Sequence, residues 1–588
     1  MSTWNDTNRF PHNNFIWRGI DGSEVYACVP PTHFITWNYP SQIQENWDAY
    51  QDKIYGGQTM NMFGYGDGGS GCTEDMLELM HRFEKLSIMP KCTHTGGAEF
   101  LEKNLKNNDR LETWDGELYL EMHRGTFTTK SELKRYNRML EAKLRNAEIV
   151  SVMRNEYPEE LRELYKKFLI NQFHDILPGS HIHPVYEDAI RDYKDVDEAL
   201  DKIIGSGGKY FNTLNIRRDS VTFIEADYGK STRLGKRGFW CIPDIKPMSS
   251  SDIEYREGNA DWLVHDGVSV ETPYYKIKFN PDGSFASLYD KELEREWVNG
   301  DFNKLKIYDD RPGNYDAWDI LPNYTENEYD VDVIEPLMLS EYDSQCASFK
   351  CGLACGSSKW TMTVRLFNLS RGIEIENNVD WRVQHRLAKA HFDCNVLTRK
   401  ALCDTSAGFI ERDTHRNTSW QQARFEVCTH KWCSLDETDG GIAIINDGKY
   451  GVGFKDGSMS LSLLRATVRP DVTSDLGFHS FCYMIYPHKD SAVKAGVGDI
   501  ALEYNTPLVH TELKWSLPTF EPLTLQAAKI SEDGKMYVIR LCETKGERGR
   551  IKPEKPVKLL SMLEETLGEA DVIEYAPFEI ITLGVERL

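Results

Sequence analysis

The chain has 588 residues, 40% of them hydrophobic, which is enough for several domains with sizeable cores. Its 69 basic and 92 acidic side chains give a net charge of −23, a balance that argues against nucleic acid or an anionic membrane as partner. It suits a neutral ligand such as a sugar, although simple solubility explains an acidic surface equally well. The 13 cysteines include no C-x-x-C pair and no zinc spacing. With no basic-then-apolar leader and no membrane-length apolar run, they point to a reducing, cytoplasmic location.

In chain order, Val25–Pro30 and Phe34–Trp37 read as short strands. Met76, Leu77, Met80 and Phe83 fall on one face of a helix expected over Thr73–Leu86, and Glu74 and Asp75 favour its N-terminus. From Lys130 to Leu200 the pattern is helical. Leu133, Leu140, Leu144 and Ala147 mark the buried face of a long first helix, and Glu141 and Arg145 suit its exposed side. A second helix runs from Glu159 to Phe173 with Leu161, Leu164, Phe168 and Leu169 on one face, and a third from Tyr186 to Ile203. Beyond Gly205 the period changes to two, as in Tyr275–Phe279, with Asp282-Gly283 as a hairpin turn. Strand-and-turn wording continues to Leu588 and predicts antiparallel β-sandwich without further helices. The fold class is multidomain α+β.

The richest stretch for chemistry is Asn171–Ser180, NQFHDILPGS. His174 and Asp175 stand where the second helix stops, ahead of Pro178-Gly179, which ends any helix. The last turn of a packed helix would hold an imidazole in one direction, as metal ligation requires. A lone His-Asp pair is more often a buried, hydrogen-bonded histidine. His181-Ile182-His183 could also bind metal but reads as surface loop. His488-Lys489-Asp490, a His-x-Asp, reads as a surface turn.

The wider wording decides between these readings. NQFHDILPGS resembles the metal-binding segment of the glycoside hydrolase family 38 α-mannosidases. The resemblance extends to NRFPHNNFIWRGIDGSEV (from Asn8), FGYGDGGSG (from Phe63), WDGELYLEMHRGTFTT (from Trp114), DRPGNYDAWDI (from Asp310) and THRNTSWQQARFEV (from Thr414). It continues through DGKYG (from Asp447), SLLRATVRPDVTSDLGFHSFCYMIYPH (from Ser462) and APFEIITL (from Ala576). These blocks run in family order over essentially the whole chain.

The resemblance implies a retaining glycoside hydrolase acting on α-mannosides or mannose-containing oligosaccharides, with a divalent metal, usually Zn2+, on the cis 2- and 3-hydroxyls. It makes His174 a metal ligand, Asp175 a sugar contact and Asp67 the acid/base. Glycines around Asp67 would let backbone approach a sugar closely, although Gly66-Asp67-Gly68 also reads as an ordinary turn. Trp114, Glu117, His123 and Arg124 resemble framework near the cleft, and Arg412, His415, Arg416 and Trp420 resemble its rim or buried corners.

The family's His-x-Asp metal motif and its nucleophile precede the point that the chain's opening resembles. The chain is therefore expected to be N-terminally truncated, lacking most of the catalytic barrel domain. Residues 1–100 would be the C-terminal remnant of an α/β barrel-like domain, 101–205 a three-helix bundle carrying the metal motif, and 206–588 the β-sandwich region. Such a fragment would be weak or inactive alone, with a separately encoded N-terminal segment as partner and homo-oligomerisation left open. The alternative is a non-catalytic carbohydrate-binding remnant of a decayed or split gene. A phosphate-ester hydrolase is a poor fit, because no phosphate-cradling loop or cluster of ligands is present.

Overall fold

The computed structural model describes residues 5–55, 57–106, 110–156, 158–255, 258, 260–513 and 517–587. They divide into two compact units, Met1–Met122 and His123–Leu588.

The first unit has a small sheet of β1 (Asn14–Arg18), β2 (Glu24–Cys28) and β3 (Thr113–Asp115) in the order β2-β1-β3. β1 pairs antiparallel with β2 and parallel with β3. Phe10, Phe15 and Val29 form its core, with Trp114 and Leu118 packed against them. The strand expected over Phe34–Trp37 is reduced to one bridge, Thr36 to Gly64. Three helices accompany the sheet, α1 (Pro40–Ala49), α2 (Glu74–Phe83) and α3 (Gly97–Lys106). α2 follows the sequence closely: the Thr73 side chain accepts from Met76 N, and Met76, Met80 and Phe83 are buried. Leu77 lies at the edge of that face and is 37% exposed.

The second unit opens with α4 (Ser131–Arg154), α5 (Glu159–Ile170) and α6 (His183–Ile204). Leu133, Leu140 and Leu144 of α4 share a core with Leu161, Leu164 and Phe168 of α5 and Tyr193, Val196 and Leu200 of α6. The rest of α4 is buried too, through Lys134, Asn137, Arg138, Asn146 and Glu148. Arg138 and Asn146 among them reach the β region, at Tyr450 and Pro507. Arg145, expected on an open side, donates to Leu525 O at 2.8 Å and Thr213 O at 3.1 Å. A helix between two partners must bury both faces; the second places Ile149, Val152 and Met153 in a core with the C-terminal β region and turns polar where Arg145 meets backbone carbonyls. α5 ends at Ile170, so His174 lies beyond it in a run of turns and not in its last turn.

Among the described residues of this unit every strand pair is antiparallel, in sheets of up to nine strands. The hairpin Tyr275–Phe279 to Phe285–Asp290 has the expected turn, with Gly283 at φ 81° and Asp282 Oδ1 accepting from Ser284 N. A six-stranded and a nine-stranded sheet meet face to face, Phe392 of one lying 6.0 Å from Tyr483 of the other, ring to ring. Tyr483 Oη donates across to Asn303 Oδ1 at 2.6 Å. Two short helices, Ser419–Ala423 and Val497–Asn505, interrupt the β region against expectation. The second starts at Gly496 and buries only Val497, Ala501 and Glu503, so its Gly-Val-Gly opening reads as loop.

Candidate functional site

His174 is presented to solvent, its side chain 77% exposed, which removes the reading of a buried core histidine. Its ring lies 4.1 Å from that of Phe173, centroid to centroid, and its Nε2 is 3.5 Å from Asp175 Oδ2. The other Asp175 oxygen accepts from Ser180 Oγ at 2.8 Å. Ser180 is buried, so it fixes the carboxylate from inside the turn and leaves Oδ2 outermost with the imidazole. His123 lies within the field of the pair. Burial pushes its pKa down, Asp175 pulls it up and His174 pushes it down again.

The turn rests on buried polar groups. Lys134 of α4 donates to Thr129 O, to Leu177 O at 3.0 Å and to Pro178 O at 3.2 Å. These carbonyls have no helix or strand to receive them, and the ammonium takes their place as partner. Full burial pushes the Lys134 pKa down to about 7. Gly179 has φ 87°, and a Cβ there would stand 2.5 Å from Thr129 O, so the turn must have glycine.

The next layer joins helix to sheet. Asp475 accepts from Lys130 N at 2.6 Å and Ser131 N at 2.8 Å, capping the start of α4. Lys130 pairs with Asp471, which is also 3.1 Å from His183 Nδ1. Burial raises the Asp471 pKa, but bonds from Lys130 and Thr473 outweigh it and hold the carboxyl below its usual range. Arg465, fully buried, donates to Asp310 Oδ2 at 2.7 Å, Thr129 Oγ1 at 3.0 Å and Asp319 O at 2.7 Å. Arg124 reaches Asp319 at 3.3 Å and Ala423 O at 3.0 Å.

Asp67 belongs to the first unit, in a single 3-10 turn Gly66–Gly68 that faces solvent. Gly64, Gly66 and Gly69 all have positive φ, and a Cβ on Gly66 would stand 2.3 Å from Ile35 Cγ1. The glycines are thus a steric requirement of the turn. His174 and Asp175 are brought together in the second unit, and Asp67 stands in the first.

Four family models match the chain in succession. They are the glycosyl hydrolases family 38 N-terminal domain (2–117), the alpha mannosidase middle domain (121–210), the family 38 C-terminal domain (270–473) and the family 38 C-terminal beta sandwich domain (522–583). The chain belongs to glycoside hydrolase family 38. It is 29% identical to Alpha-mannosidase G of Dictyostelium discoideum, over 99% of this chain and 63% of that protein. It is 31% identical to Alpha-mannosidase of Saccharomyces cerevisiae, over 86% of this chain and 48% of that protein. The chain thus spans about half to three-fifths of these relatives' lengths. An alpha-mannosidase structure from Enterococcus faecalis V583 shares the fold, with a TM-score of 0.76 at 14% identity over 98% of this chain and 82% of that one.

Family 38 membership corrects one expectation. Residues 2–117 match the N-terminal domain model, so the inference of an N-terminal truncation is not borne out. Several family blocks also acquire a physical meaning. DRPGNYDAWDI supplies Asp310 and Asp319, and SLLRATVRPDVTSDLGFHSFCYMIYPH supplies Arg465, Asp471 and Asp475, all in the layers beneath the His174 turn.

The zinc expected of the family does not fit the residues around His174 by themselves. His174 and Asp175 offer two donors, and among the described residues no third His, Cys, Asp or Glu ligand atom joins them, whereas zinc sites use three or four protein ligands. His181 is buried, and His183, though exposed, sits at the start of α6 beside Asp471, so the pair is not one surface loop. His488 is likewise buried, at the end of a strand, 3.0 Å from Ser434 Oγ and not in a surface turn. Glu374, Glu376 and Cys482 cluster closely enough to hold an ion. Arg365 and Arg233 already neutralise the two carboxylates, and burial raises the Cys482 thiol well above its usual range, so the cluster is an ion-pair network.

The side chains that sequence reasoning missed are Ser180, Lys134, Asp471 and Asp475. The available signal was Lys130 and Lys134, one helical turn apart beside Leu133, where an amphipathic helix buries its apolar face.

Proposed function

We propose that the chain is a retaining α-mannosidase polypeptide acting on α-mannosides or mannose-containing oligosaccharides, slow or inactive when assayed alone. One observation carries this reading: a solvent-facing imidazole and carboxylate on a turn that glycine, a buried lysine and a buried serine hold rigid. Catalytic groups need such support, because small displacements cost large factors in rate. In this reading Asp175 Oδ2 accepts hydrogen bonds from sugar hydroxyls, and two hydroxyls on the same face of a mannoside can share it. His174 stands beside it at the sugar or at a metal completed by further donors. Asp67 gives its proton to the leaving glycosidic oxygen. Retention requires a second carboxylate as nucleophile, and none is assigned here. The two-donor set at His174 supports slow turnover.

Domain limits of 1–100, 101–205 and 206–588 accompany this reading, with the middle segment as a three-helix bundle. Support for the bundle comes from the core shared by α4, α5 and α6. A cytoplasmic location is supported by thirteen cysteines without a disulfide. Among the described residues no helix is long and apolar enough to cross a membrane.

The test is hydrolysis of an aryl α-mannoside by the purified chain and by Asp67→Asn. A slow rate that the substitution abolishes supports the assignment. Turnover in the ordinary enzymatic range of about 1–1,000 per second, retained in Asp67→Asn, would refute both the slow rate and the acid.

A further inference from the structure

A cavity of about 470 Å³ lies in the second unit between α4 and the β region, and neither His174 nor Asp175 lines it. Its size is that of a small-molecule site. Its walls carry four cations, Arg138, Arg145, Lys431 and Lys545, against three carboxylates, Glu141, Asp404 and Asp499. Two of these carboxylates are engaged: Asp404 accepts from Lys431 N at 2.8 Å and lies 3.4 Å from Lys431 Nζ, and Asp499 pairs with Lys545 at 2.9 Å. The third, Glu141, faces solvent.

Among the described residues neither arginine has a carboxylate at ion-pair distance, although Glu141 and Asp404 act on Arg138 through space and favour its charge. Arg145 spends its donors on carbonyls. Arg138, only 5% exposed, lies over the Tyr450 ring at 4.9 Å and gives Nε to Tyr450 Oη at 3.3 Å. Its Nη1 has no hydrogen-bond partner. Leaving a buried donor unmet is costly. His430 in the same wall is held neutral mainly by burial, with Arg138 and Lys431 adding to the shift and Glu141 opposing it, its pKa pushed down to about 3. Trp432 and Phe409, with ring centroids 6.2 Å apart, add an aromatic wall.

We propose that this cavity binds a small sugar-sized oxyanion, with Arg138 and Lys431 on a phosphate or carboxylate group and the aromatic wall beside the ring. Guanidinium is suited to both groups, because its fork of donors matches two oxygens at once. The site stands on its own side chains and does not depend on mannosidase activity.

The test is calorimetric titration of the full chain with glucose 6-phosphate, glucuronate, inorganic phosphate and methyl α-glucoside. Binding of one or both sugar oxyanions, without the neutral glucoside, is expected, and comparison of the two separates phosphate from carboxylate. Lys431→Gln should weaken it about tenfold, and Glu141→Gln, at an exposed position where folding is safe, should tighten it about threefold. Three results would overturn the proposal: no binding of either sugar oxyanion, equal binding of the neutral glucoside, or affinities unchanged in both variants. Inorganic phosphate binding as tightly as the sugar phosphate would mean an adventitious ion only and would also overturn it.

Discussion

Gly179→Ala should unseat the turn that carries His174 and Asp175. Two costs add at this position. The backbone has φ 87°, where an L side chain costs about 1–2 kcal/mol. The new Cβ would also stand 2.5 Å from Thr129 O and 2.8 Å from Lys130 Cβ. Lys130 is held by Asp475 and Asp471 and cannot retreat freely, so overpacking adds about 1–3 kcal/mol. The sum, about 2–5 kcal/mol, is larger than the free energy that many surface turns need to open. Amide hydrogen exchange over 171–183 should therefore accelerate by about 30-fold or more. Gly207→Ala is the control: φ is 98° with nothing within 4 Å of the added carbon, so only the first cost applies. If Gly179→Ala left exchange in 171–183 unchanged, or changed stability no more than Gly207→Ala does, the turn would not be seated as described.

Other outcomes follow from buried charges and from the donor count. Arg465→Met leaves Asp310 buried without its cation and should destabilise the second unit by about 3–5 kcal/mol in thermal unfolding; a shift equivalent to under about 1 kcal/mol would show the network to be dispensable. Burial, with Lys389 and Lys306 nearby, pushes the His391 pKa down to about 3. Between about pH 6.5 and 3 the unfolded histidine binds a proton that the folded one does not. Its contribution is thus present above pH 6.5 and lost as pH falls, and His391→Gln should flatten the acid limb of a melting-temperature profile. The purified chain should retain well under one zinc per molecule after mild chelation, measured by elemental analysis; stoichiometric zinc would mean that further donors complete the site.

Local structure was legible where one periodic face met one partner. In α2 the cap at Thr73 and the buried Met76, Met80 and Phe83 are as the pattern requires. α4 was half legible. Its leucines announced the helical core, but its second face mixes Ile149, Val152 and Met153, buried against the β region, with polar residues on backbone carbonyls, which is why Arg145 was misjudged. The boundary of α5 was overrun by a few residues, because Phe173 continues the apolar pattern while lying exposed beyond the helix. The site residues His174, Asp175 and Asp67 came from family wording. Periodicity could not supply the support beneath them, since Asp471 and Asp475 lie some 300 residues from the turn and meet it only through the tertiary fold.

The most direct measurement is saturation-transfer NMR of the chain with methyl α-mannoside and methyl α-glucoside, repeated with His174→Ala and Asp175→Asn. The two sugars differ only in the direction of the 2-hydroxyl, the group that a carboxylate bridging two hydroxyls on one face would distinguish. Expected is transfer to the mannoside in clear excess over the glucoside, lost in both variants while their folds persist. Equal transfer to the two sugars, or mannoside transfer that survives both substitutions, would contradict the assignment of the His174–Asp175 turn as the sugar-binding part of the site.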